Sequence, residues 1–345
     1  MTKVLLTGGS GFIAAHILEQ LLAKNHSVVT TVRTEEKAAK IREAYPSQAA
    51  SGALTVAIVP DIAQPDAFDE GVTPPGLEVV LHTASPFHFR FSPRPQKELI
   101  DPAVIGTTAI LRAIALGALG PSRRRDLVLR GHRRRGAPDR PGHDLHRGVV
   151  EPRHARRHPQ EPATAYARAR RSPSAPRGTL CATPASGAKF DLVTVNPPMV
   201  FGPVVHYLES LEGVNTSNER VVDCLRGKWR EAVPPAGPVG IWVDVRDVAT
   251  AHVKAGLEVP EAGGKRLFAT AGLFSNAELG QIVRRNFPED ADKLPTEETK
   301  GGELPDESKR FRFDNSATNK LLGIDWISFE KSIVDTVRSL KKVGA

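Results

Sequence analysis

In "EPATAYARARRSPSAP", residues 161–176, Tyr166 stands four residues before Arg170. On a helix that spacing puts both side chains on one face. A phenol there gains use as an acid or base, because a neighbouring cation favours phenolate and pulls tyrosine below its ordinary value of about 10. Tyr166 and Arg170 are thus a candidate proton-transfer pair, the remnant of one, or a coincidence in a basic stretch. Pro173 and Pro176 follow closely, and each costs roughly 3 kcal/mol or more inside a helix. A regular helix from Tyr166 onward is not expected, so Arg170 brings charge without the geometry.

The second chemically suggestive stretch is "TGGSGFIA", Thr7 to Ala14, directly after a strand-like run and opening a helical one. Gly8 allows a tight turn, Gly11 lets the backbone approach a pyrophosphate, and small Ala14 permits close helix–strand packing. The N–H groups and positive end of the helix would hold the phosphates. Thr7, Gly8, Gly11, Phe12 and Ile13 are the candidate contacts. The alternative is a glycine turn with no ligand. At the end of the next strand, "TTVRTEEKAAK" places Arg33 where an acid would grip a ribose hydroxyl, with Lys37 one helical turn on. Two cations suit a 2′-phosphate, which favours NADP over NAD, unless both are solvated cap charges. "VPDIAQ" adds Asp61 and Ile62 after the third strand, where an adenine would lie.

The elements needed to position these groups are legible through Leu119. "KVLLT", "SVVTTV", "ALTVAIV" and "LEVVLHTA" read as buried strands, while "FIAAHILEQLLAKN" and "PAVIGTTAILRAIAL" carry apolar residues at helical spacing. That alternation predicts an α/β chain with a doubly wound parallel sheet. Residues 121–158 are crowded with Arg, His, Pro and Gly and show no sustained period, so 121–188 is expected to be irregular, with "DLVL" able to supply a short strand. Order returns at "KFDLVTVNPPMVFGP". "VGIWVDVRDVATAHVKAGL", "SNAELGQIVRRNF" and "SFEKSIVDTVRSLKKV" suit a smaller α/β lobe packed on the first.

Composition narrows the function classes. The 345 residues are 40% hydrophobic and 25% charged, ordinary for a globular protein. Cys181 and Cys224 make no disulfide framework and have no metal spacing, and neither do His82, His88 or the histidines of the Arg-rich stretch, so no metal is implied. Trp229, Trp242 and Trp326 read as packing residues. A strand-like run beginning right after Met1, with no apolar run long enough to cross a bilayer, leads us to expect a cytoplasmic protein without a membrane partner. The net charge of +8 would ordinarily suggest nucleic acid. It is concentrated in a stretch without aromatic residues for base stacking, so no nucleic-acid partner is expected.

"TGGSGFIAAH", "PDI", "LHTASPFHF", "NPPMVFGP" and "WVDVRDVATAH" together resemble the extended short-chain dehydrogenase/reductases (NAD-dependent epimerase/dehydratase-like), especially dihydroflavonol reductases and fungal ketone and methylglyoxal reductases. The resemblance implies a Rossmann domain over 1–196 and a mainly substrate-binding lobe over 197–345, with some segments returning to the first domain. It implies NADPH-dependent reduction of an aldehyde or ketone, with Tyr166 as proton donor. Thr83, Ala84 and Ser85 would flank the cofactor, and Pro197 to Val200 would pass its nicotinamide end. The family pattern also requires a Lys where Arg170 stands and a Ser after the fifth strand, where this chain reads "SRRRDLVLRGHRRRG". Loss of such acid–base elements predicts impaired turnover, the alternative being a catalytically dead NADP(H)-binding protein.

The two departures share an explanation. With GC-rich codons shifted by one base, "RRRDLVLRGHRRRG" reads VVVTSSFAATVAA, a strand followed by the absent Ser motif. The same shift turns "HDLHRGVVEPRHARR" into TTYTEASWNPVTLDD, and the other shift turns "ARARRSPSAPRGTLCA" into ASKTLAERAAWDFVR, restoring a Lys and an amphipathic helix. Residues 121–158 and 167–184 thus read as out-of-frame translations, which also accounts for the excess of Arg.

Overall fold

The computed structural model describes residues 1–64, 66–68, 76–85, 101–114, 126–130, 190–205, 208, 210–237 and 239–345. Tyr166 and Arg170, Cys181 and His88, and nearly all of 121–188 lie outside the described residues.

Seven strands form one sheet: β1 (Lys3–Thr7), β2 (Ser27–Val32), β3 (Leu54–Ile58), β4 (Val79–His82), β5 (Asp126–Arg130), β6 (Asp191–Val195) and β9 (Arg266–Leu267). Their order is β3-β2-β1-β4-β5-β6-β9 and every pairing is parallel. The chain winds outward from β1 through β2 to β3, then restarts beside β1 with β4. The crevice beyond the carboxyl ends of β1 and β4 is therefore a topological switch point, the usual ligand position in such sheets.

β5 falls within the stretch expected to be irregular and coincides with the "DLVL" run named as a possible strand. It pairs with β4 from Asp126 opposite Val79 and with β6 from Asp126 opposite Asp191, keeping the sheet continuous. A parallel sheet needs a partner for each central strand, because unpaired buried backbone groups are costly.

Strand alternation divides the core into two layers. Val4 and Leu6 of β1, Val28 of β2 and Leu81 of β4 face one apolar cluster, while Leu5, Val29 and Val80 face another. Helix α1 (Phe12–Ala23) fills the first side through Ile17, Leu18 and Leu21, beside α6 (Val245–Val253). Between them in sequence come α2 (Glu35–Ala44), α3 (Pro46–Ala50), α4 (Asp101–Ala113) and α5 (Glu219–Leu225); Ile110 and Leu111 of α4 fill the opposite side.

A second sheet, β10-β8-β7, joins β7 (Met199–Phe201) parallel to β8 (Ile241–Asp244), and β8 antiparallel to β10 (Gly272–Leu273). Around it α5, α7 (Asn276–Asn286) and α9 (Phe329–Lys341) bury a cluster containing Phe201, Trp242, Phe274 and Phe329. Trp229 and Trp242 are buried here, and Trp326 packs on the first cluster while its indole N–H donates to Asn319 on α8 (Ser316–Leu322). Cys224 is a buried free thiol that burial pushes up to about 12, an inert packing group. Among the described residues no helix is long and apolar enough to cross a membrane, and no group of His, Cys, Asp and Glu is arranged to hold a metal.

Candidate functional site

The switch point is built on Thr7, the buried last residue of β1. Its carbonyl accepts from the Thr83 hydroxyl at 2.7 Å, and its own hydroxyl accepts from the Ala84 N–H at 3.2 Å. His82, buried at the end of β4, places Nδ1 2.8 Å from the same Thr7 hydroxyl. These bonds hold the Thr83–Ser85 segment against the start of the glycine turn.

Gly8 adopts φ +79°, the left-handed region that favours glycine, and a Cβ there would come within 3.0 Å of Ala84 Cα. The turn's amides are largely spoken for. Gly8 N–H donates to Thr31 Oγ1 (3.1 Å), Gly9 N–H to the Thr31 carbonyl (2.9 Å) and Gly11 N–H to the Gly8 carbonyl (2.8 Å). Among the described residues, the N–H groups of Ser10 and of Phe12, Ile13 and Ala14 in the first turn of α1, where an α-helix has no intrahelical partners, make no backbone hydrogen bond. Above Gly11 a Cβ would meet nothing but the Gly8 carbonyl within 4 Å. Open space, unpaired N–H groups and the positive helix end together suit an anion.

Arg33 follows β2 and Lys37 lies in the first turn of α2; both are exposed. Thr34 caps α2 by accepting the Lys37 N–H, which sets the two cations on one corner of the molecule. The acids beside them are engaged elsewhere, Glu35 with Arg42 and Glu36 with Lys40, and among the described residues neither Arg33 nor Lys37 closes an ion pair. Both cations are thus exposed and free of acidic partners among the described residues.

Asp61 is exposed but turned onto its own loop: Oδ1 accepts the Ala63 N–H at 2.8 Å and Oδ2 the Gln64 amide at 3.0 Å. Ile62 is buried against Gly106 of α4, where a Cβ would sit 3.1 Å from it. Sequence spacing pointed to the acid and missed Gly106, whose lack of a side chain admits that loop.

Pro197 and Val200 are buried on the far side of the crevice. Ser217 Oγ accepts the Val200 N–H at 3.0 Å, Asn215 donates to the Val200 carbonyl at 3.1 Å, and Asn218 donates to the Gly202 carbonyl at 2.8 Å. Three side chains of one short turn thereby substitute for a neighbouring strand along the edge of β7. No spacing rule flags "NTSN" for that work.

The comparisons with known proteins agree with this architecture. The profile of the NAD dependent epimerase/dehydratase family matches residues 4–268. The chain belongs to that family. Its similarity to members is spread over the whole length. A ketoreductase of Aspergillus niger is 37% identical over 98% of this chain and 97% of its own. The NADPH-dependent methylglyoxal reductase of Saccharomyces cerevisiae is 29% identical over 99% of this chain and 98% of its own. Among solved structures, Candida albicans Gre2 in complex with NADPH superposes with a TM-score of 0.77, at 27% identity and complete coverage of both chains. The expected Rossmann-type α/β fold and the resemblance to fungal ketone and methylglyoxal reductases are both met.

Proposed function

We propose that this chain derives from an NADPH-dependent carbonyl reductase, and that its surviving function is to bind NADP(H). The observation that carries the reading is the glycine turn at the β1/β4 switch point, with the α1 amides of Phe12 and Ile13 open and the Arg33–Lys37 corner beside it. The pyrophosphate would take the helix end and Gly11, the 2′-phosphate the two cations, and the adenine the loop at Asp61 and Ile62. Thr83, Ala84 and Ser85 would border the nicotinamide ribose, and Pro197 to Val200 the nicotinamide itself. Residues 1–196 would form the cofactor domain and 197–345 most of a substrate lobe, acting in the cytoplasm on a small carbonyl compound.

Bound NADPH supplies the hydride in such a reduction. The carbonyl oxygen then needs a proton, for which Tyr166 is the donor in this reading. Arg170 stands where a Lys would lower the phenol and hold the ribose, and the Ser that would polarise the carbonyl is missing. Absence of one acid–base element costs typically about a hundred- to ten-thousand-fold, so trace turnover at most is expected. Purified protein assayed with NADPH and a panel of aldehydes and ketones tests this; robust reduction would overturn the impairment.

The second reading concerns origin. The shifted peptides recover both absent motifs, which favours an intact reductase gene read out of frame over 121–158 and 167–184. Sequencing the gene and its transcript decides it, since codons incompatible with the shifted peptides would refute it.

A further inference from the structure

We infer that Thr31, near the end of β2, is the residue that pre-shapes the phosphate turn and fixes its position relative to the Arg33–Lys37 corner. Thr31 is 2% exposed and sits opposite Thr7 in the β1–β2 register. It holds two consecutive amides of the turn by different atoms, Gly8 through Oγ1 at 3.1 Å and Gly9 through its carbonyl at 2.9 Å. The carbonyl bond belongs to any residue at this position; the hydroxyl bond does not. Without it the Gly8 N–H loses its acceptor, and the left-handed turn at φ +79° keeps only the Gly9–Thr31 and Gly11–Gly8 backbone bonds to hold it. Gly9 is confined as well, because a Cβ there would overlap the hydroxyl of Thr30, which donates to the Leu6 carbonyl at 2.9 Å.

The position of Thr31 in the chain gives this bond a second consequence. Arg33 follows two residues later, so one strand end carries both the acceptor that shapes the turn and the cation beside it. A shift of the turn relative to β2 would change the distance between the pyrophosphate and 2′-phosphate positions. Thr31 would act through the turn rather than by touching a ligand, which makes it a positioning residue. A turn that samples other shapes binds in proportion to its competent fraction, so loss of the hydroxyl appears as weaker binding with every ligand contact still present.

This inference rests on the cofactor reading above, and two measurements separate their failures. In the ligand-free protein, hydrogen exchange at the Gly8 amide is expected to speed up in Thr31→Val and to return toward the original rate in Thr31→Ser. In binding, Thr31→Val is expected to weaken NADPH about fivefold to tenfold, the scale of one lost hydrogen bond, while 2′-AMP, which engages the cation corner and not the turn, keeps its affinity. Thr31→Ser is expected to recover NADPH binding. Equal weakening of both ligands would mean general damage to the strand end and overturn the inference, as would unchanged Gly8 exchange. Failure of the unsubstituted protein to bind either ligand would overturn the cofactor reading, whereas the exchange result would still decide whether Thr31 shapes the turn.

Discussion

His16 Nε2 lies 2.9 Å from the carbonyl oxygen of Pro203, so helix α1 is tied directly to the segment that leaves β7. A carbonyl only accepts, so Nε2 carries the proton. The bond joins helix α1 to the segment that follows Pro197–Val200, on the other side of the crevice.

Burial holds His16 below its ordinary 6.5, against the Pro203 bond and Glu19, which act the other way. The unfolded chain therefore takes up a proton near pH 6.5 that the folded chain resists. The linked stability is present above 6.5 and is lost as pH falls toward the lower folded value. Urea unfolding of the wild type at pH 7.5 and 5.5 should show the loss, and His16→Gln, which can still donate to Pro203, should reduce it. His16→Leu should cost about 1–3 kcal/mol at pH 7.5 by leaving the carbonyl unpaired, and less at pH 5.5, where the wild type has itself lost stability.

Asp247 behaves in the opposite sense. It is buried on α6, where desolvation raises it to about 7, the Ile327 N–H at 2.9 Å opposes the rise, and nearby Asp244 adds to it. The folded chain holds a proton that the unfolded chain releases near 3.8, so this stability is full below 3.8 and is lost as pH rises through about 7. Asp247→Asn keeps an acceptor for Ile327 and removes the titration. It should stabilise the protein by on the order of a few kcal/mol at pH 8 and by little at pH 4, read as the shift in urea midpoint.

Much of this fold can be read from the residues before Leu119. "KVLLTGGSGFIAAH" states its own structure, because a buried strand, a turn needing left-handed glycine and an amphipathic helix are each local requirements. "DLVL" was legible only as a possible short strand within a stretch expected to be irregular, because four residues carry too little pattern and the slot between β4 and β6 is a tertiary feature. Thr31, Ser217 and His16 were not readable. Each works through a contact to a residue distant in the chain, and a threonine in a buried strand carries no mark of an acceptor role. Asp61 differs again: its spacing marks the loop end, and its carboxylate bonds to Ala63 and Gln64 of that loop are a tertiary detail that spacing does not show.

Gly9 offers a steric test of the turn. A methyl group there meets the Thr30 hydroxyl, which is buried and bonded to Leu6 and so has little room to yield. Gly9→Ala should destabilise the protein by about 1–3 kcal/mol and weaken NADPH binding, measured by thermal unfolding and titration.

The central claim is that the switch-point turn and the Arg33–Lys37 corner bind NADP(H), and calorimetric titration of the purified chain with NADPH tests it most directly, alongside NADH and Arg33→Ala. The account predicts micromolar NADPH binding, weaker NADH binding, and a loss of about ten- to a hundredfold for NADPH in Arg33→Ala with little change for NADH. No NADPH binding, or equal affinity for both nucleotides that Arg33→Ala leaves untouched, would contradict it.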